Sequence, residues 1–177
     1  ALHYPENLSE GRLPGQTDND IWFWQAICAN AQGDETEAMR CLRLAATGDR
    51  TINIHSYYND QPVDYLFWQG MALRLLGEQH TAQQLFSEMK QWAQEIAKTN
   101  IEADFFAVSQ PDLLSLYGDL QQQHKEKCLM VAMLASAGLG EVAQYESARA
   151  ELTAINLAWP KAALFTTVMP FIFNYVH

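Results

Sequence analysis

Cysteine is scarce in this chain. Cys28, Cys41 and Cys128 are its three cysteines, an odd number, widely spaced and set in helix-like apolar surroundings. That pattern excludes a disulfide framework and reads as buried, reduced thiols of a cytoplasmic protein. Basic residues are few as well. Eleven lysines and arginines stand against twenty-one acidic residues, for a formal charge of −10. Such a balance repels phosphate backbones and anionic lipid, so neither nucleic acid nor a membrane surface is an expected partner. No apolar run approaches the roughly 18 residues that a membrane-spanning helix needs. No secretory signal is legible, since 1–14 carries prolines and charges where an apolar stretch would lie. The first residue is Ala1 rather than methionine, and the chain is expected to be the C-terminal part of a longer protein.

Chemical motifs are equally sparse. His3, His55, His80, His124 and His177 form neither a cluster nor a helical pair with a glutamate, so no metal is expected. No phosphate-cradling loop or nucleophile elbow occurs, because Gly138-Leu-Gly140 lacks the Gly-Lys-Ser/Thr that would follow. No cofactor is expected, and catalysis by this chain alone is not expected either. What is abundant is apolar side chain. Hydrophobic residues make up 49% and aromatics 11% of 177 residues, enough for one well-cored domain.

The dominant feature is an internal repeat. Ile21-Trp-Phe-Trp-Gln-Ala26 recurs as Tyr65-Leu-Phe-Trp-Gln-Gly70, and the same offset of 44 places Gly33 on Gly77 and Ala38 on Ala82. In each copy a helical pattern leads to a glycine, the usual left-handed helix stop, and a second helical pattern follows. Each copy therefore reads as two antiparallel helices joined at an elbow. Thr17 or Asp18 can cap the first helix, and Pro62 behind Asp60 suits the first turn of the third. A third unit is predicted around Gly140, with Gly138-Leu-Gly140 ending its first helix. The expected division is an extended lead-in at 1–16, hairpins at about 18–47, 62–99 and 119–158, a short helix at about 111–117 and a C-terminal helix at about 160–176.

Small residues Ala26, Ala38 and Ala45 at close-approach positions, with bulky Trp22 and Leu42 between them, resemble the tetratricopeptide repeat. Tyr4-Pro-Glu-Asn-Leu8, Thr17-Asp-Asn-Asp20, Tyr57-Tyr-Asn-Asp-Gln-Pro62 and the string Asp104 to Leu114 look like the C-terminal region of large bacterial tetratricopeptide-repeat proteins. Those proteins carry a β-rich, carbohydrate-binding-like N-terminal domain and often occur among sugar-utilisation genes. The resemblance implies an all-α fold of tetratricopeptide-like hairpins stacked as a short curved superhelix, with seven or eight helices. It carries no reaction onto any numbered residue.

Two functions follow as expectations. The first is a non-catalytic module that binds a protein partner or its own upstream domains. The alternative is an accessory part of a carbohydrate site completed by a missing N-terminal domain. The candidate binding residues are the polar segments between helices: Asp18, Asn19 and Asp20, and Tyr57, Tyr58, Asn59 and Asp60. Phenol rings and amides there could stack on a sugar or grip a chain. Carboxylate pairs Asp18/Asp20 and Asp60/Asp64 could serve glycoside hydrolysis if held about 5 to 10 Å apart, but capping and first-turn dipole interactions account for them more simply. Trp22, Trp24, Trp68 and Trp92 are expected in the core. The apolar residues around Phe171 to Val176 should pack on the body or on a second copy, giving a homo-oligomer.

Overall fold

Three glycines with left-handed backbone set the course of the chain. In the computed structural model, which describes residues 17–52, 63–101, 119–155 and 169, Gly33, Gly77 and Gly140 have φ of 80°, 86° and 75°. An L side chain is disfavoured there by roughly 1–2 kcal/mol. Each glycine N–H closes on the carbonyl three residues back: Gly33 on Asn30, Gly77 on Arg74 and Gly140 on Ala137, at 3.0–3.1 Å. The next N–H reaches further, Asp34 to Ala29, Glu78 to Leu73 and Glu141 to Ser136, at 2.9–3.0 Å. This paired closure satisfies carbonyls that a helix end would otherwise leave open, and it turns the chain back on itself. The acidic residue after each glycine then faces the positive end of the next helix. Asp34 does more, accepting the Glu37 N–H at 3.0 Å.

Helices flank every elbow: α1 (Asn19–Ala31) and α2 (Glu35–Ala45), α3 (Asp64–Leu75) and α4 (Gln79–Ile96), α5 (Leu120–Leu139) and α6 (Val142–Ile155). The described residues are thus all-α, with six helices and no strand. The predicted lead-in, the loop containing Pro62, the short helix at 111–117 and nearly all of 160–176 lie outside the described residues. From the last stretch only Met169 is described, helical and fully buried. No helix among the described residues is long and apolar enough to cross a membrane.

Spacing explains which faces turn inward. In α2, Ala38, Cys41, Leu42 and Ala45 are buried while Arg40 and Arg43 stay outside, the i, i+3, i+4, i+7 stripe of a surface helix. The same stripe in α4 is Ala82, Leu85, Phe86, Met89 and Ala93. By contrast α3 is covered nearly all round, with nine of its twelve residues buried. It is the central helix, touching α1, α2, α4 and α5.

The two copies of the repeat meet through equivalent side chains. Phe23 lies 5.2 Å from Trp68 between ring centres, and Trp24 lies 5.8 Å from Trp68. Phe67 continues the aromatic run to Phe86 at 6.1 Å. Such edge and tilted pairs each add about 0.5–1.5 kcal/mol beyond the area they bury.

Phe86 then locks the second hairpin to the third. A Cβ placed on Gly70 would come within 2.5 Å of its ring, and one on Gly138 within 2.4 Å. Both glycines let a helix backbone approach the ring directly. Gly138 is therefore not a helix stop, as its pairing with Gly140 suggests in the sequence. It lies inside α5, buried, and only Gly140 forms the elbow. The Arg74 guanidinium lies 5.5 Å from the Phe86 ring centre and donates to the Gly138 carbonyl, spanning from α3 to α5. Burial pushes the Arg74 pKa down. Farther along the same seam Lys90 pairs with Glu141, and the His124 imidazole Nε2 contacts the Ile96 carbonyl at 2.8 Å.

Candidate binding site

The polar segment that opens α1 divides into an inner part and an outer part. Asp18 holds the N-cap position, but its side chain makes no capping hydrogen bond and is buried. Asn19 is fully buried, and its amide donates to the Ala45 carbonyl at 2.7 Å and the Thr47 carbonyl at 2.8 Å. Thr17 in turn donates to the Asn19 side-chain oxygen. These bonds satisfy carbonyls at the C-terminal end of α2 and clamp the open end of the first hairpin, opposite its glycine elbow. Asn19 is thus engaged inside the protein. Asp20, one residue on, is partly exposed and faces a groove. The other four candidates, Tyr57, Tyr58, Asn59 and Asp60, lie outside the described residues.

The Asp20 groove, of about 490 Å³, runs along α1 past Ile21, Trp24, Gln25 and Cys28 to Gln32, with Glu37 of α2 at its edge. Glu37 is engaged there by two hydrogen bonds from Arg40, at 2.6 and 2.7 Å. The guanidinium beside it, helped by a contact from the Cys41 thiol, holds its carboxyl down to about 2. Arg40 also lies 5.3 Å from the centre of the Trp22 ring, so its charge is shared between a carboxylate and an aromatic face. Cys28 departs from expectation. It is exposed, whereas Cys41 and Cys128 are buried and burial raises both their pKa values. Its position on the outer face of α1, beside the groove, explains the difference. Of the tryptophans, Trp68 is buried, while Trp22, Trp24 and Trp92 are only partly covered against the core.

On the opposite face of the first hairpin lies a smaller pocket of about 280 Å³. Its walls are Ala26, Ile27, Ala38, Leu42 and Leu75, with Met39 at the mouth and Asn30 and Glu35 at the rim. Nothing in the sequence pattern singles it out, because it forms only where α1, α2 and the end of α3 converge. A third cleft, of about 480 Å³, lies between the end of α4, the start of α5 and α6. Ala93, Ala97 and Ala132 line it, the buried His124 and Cys128 stand in its wall, and the Lys125–Glu151 ion pair at 2.8 Å guards its edge.

These three concavities combine apolar walls with polar side chains, the form of a ligand-binding hollow. Among the described residues no group of three or more histidine, cysteine or acidic side chains is placed to hold a metal ion. No protein-family model matches the chain, and no solved structure matches it.

Proposed function

We propose that this chain is a non-catalytic, tetratricopeptide-like helical-repeat module that binds a protein partner, or other domains of its own polypeptide, through grooves beside its helices. The observation that carries the reading is the first hairpin, which is tied shut at both ends yet keeps an apolar-walled hollow on each face. Stacked hairpins bury their faces only against neighbours, so side chains at such hollows are held rigidly while remaining open to a partner. Rigid, partly apolar, polar-rimmed hollows are the form that a peptide anchor requires.

The carbohydrate alternative draws on Tyr57, Tyr58, Asn59 and Asp60, and no feature of the described residues favours it. Panning the purified chain against a phage-displayed peptide library tests the leading reading. Selected peptides, made synthetically, are expected to bind saturably in the micromolar range. Failure to select any peptide that binds saturably would contradict the reading, and saturable binding of an oligosaccharide panel by the same chain would replace it with the alternative.

A further inference from the structure

We infer that the pocket between α1, α2 and the end of α3 receives an aliphatic side chain from a positively charged peptide, whose neighbouring lysine or arginine meets Glu35. This deepens the binding-module reading and rests on it. Size is the first argument. At about 280 Å³ the pocket lies at the lower edge of the roughly 300–1,000 Å³ range of ligand sites, with room for an aliphatic side chain and the atoms beside it. Chemistry is the second. Ile27, Leu42 and Leu75 give it an apolar floor, and Met39, with 38% of its surface exposed, stands at the mouth. Methionine is unbranched and polarizable, and it re-packs readily around whatever side chain enters.

Charge selects this pocket over the other two. Around the Asp20 groove, which carries the partly exposed Asp20 as well, Glu37 already holds Arg40, a resident cation that a cationic partner would meet. At the α4–α6 cleft, Glu151 is already paired with Lys125. At the Met39 pocket, Glu35 and Asn30 form the rim and, among the described residues, no lysine or arginine lines it. A cationic partner therefore gains there without displacing a resident cation, and the chain's net charge of −10 steers such a partner inward. An acidic partner meets repulsion.

The test uses fluorescein-labelled amphipathic peptides and anisotropy titration of the whole chain. The probe is a leucine/lysine peptide, compared with versions carrying glutamate for lysine or alanine for leucine. Saturable binding of the leucine/lysine peptide is expected, weakened about tenfold or more by either peptide change and by Glu35→Lys or Met39→Asp in the protein, with helical circular dichroism unchanged. Higher salt should weaken it further. Equal binding to the wild-type, Glu35→Lys and Met39→Asp chains overturns the inference, as does no saturable binding of the leucine/lysine peptide. In either case the binding-module reading is judged separately, by whether library-selected peptides bind elsewhere on the chain.

Discussion

Around Phe86 two glycines bring the backbones of α3 and α5 against a single ring, whereas along α1 the alanines and tryptophans leave hollows on both sides of the first hairpin. The two regions use the same helix-elbow-helix plan. They differ in what fills the seam. Where a bulky ring meets glycine, surfaces interlock and nothing is left to bind. Where alanine and methionine meet alanine, as at Ala26, Ala38 and Met39, α1 and α2 pack against each other yet leave a hollow beside the seam. Close packing in one seam and a hollow beside another can therefore coexist in one small array, because α1 and α2 are joined by buried residues such as Phe23, Cys41, Leu42 and Ala45 as well as by the elbow and the Asn19 clamp.

The sharpest way to break this contrast is to remove the ring. Phe86→Ala is expected to cost about 3–5 kcal/mol, by loss of burial and creation of a cavity between two backbones. Urea denaturation followed by circular dichroism reads this, and a loss below about 1 kcal/mol would show that α3 and α5 do not close on Phe86. Asn19→Ala, which opens the clamp of the first hairpin, is expected to cost about 1–3 kcal/mol because the Ala45 and Thr47 carbonyls each lose a donor. Thermal unfolding of that variant should leave the ring-filled seam intact, so ligand-free near-ultraviolet signals from Phe86 and its neighbours are expected to persist below the transition.

Gly138→Ala sharpens the same comparison at a smaller scale. Crowding against Phe86 costs about 1–3 kcal/mol, offset by about 1 kcal/mol of improved helix propensity. A modest net loss is expected, and it should vanish or reverse when Phe86→Leu makes room; equal effects in both backgrounds would contradict the close approach. The smallest effect concerns pH. Glu37 sits at about 2 instead of the usual 4.5, so what it contributes is fully present above the ordinary value and is lost as pH falls toward 2. Glu37→Gln should lower stability slightly at neutral pH, where the wild-type carboxylate is ionised and paired, and change it least near pH 2, so that the acid side of the profile flattens; the effect is small because the carboxylate is exposed. An acid profile identical to that of the wild-type chain would remove Arg40 as the cause.

Much of the helical plan is local and could be read from residue order. Gly33, Gly77 and Gly140 end helices because they adopt a backbone that other residues resist, and the spacing of Ala38, Leu42 and Ala45 marks one face. Gly138 could not be read that way. Its role depends on Phe86, far away in sequence, and beside Gly140 it mimics a stop signal. Asn19 posed a similar problem, since an exposed loop amide and a buried clamp have the same letter, and only the position of the α2 carbonyls separates them. Cys28 sits in an apolar stretch but on its outward side, which a composition argument misses. The Met39 pocket has no linear signature, because three helices must converge before it exists. Asp20 is the one candidate of the α1 segment that faces a groove.

Backbone amide shifts of isotopically labelled protein, followed by nuclear magnetic resonance during titration with the leucine/lysine peptide, put the contrast between open and filled seams to its most direct test. Shifts are expected to gather on Ile27, Asn30, Glu35, Met39, Leu42 and Leu75, with Gly70, Phe86 and Gly138 unmoved. Shifts centred on the Phe86 seam or on the α4–α6 cleft, or none at saturating peptide, would contradict it.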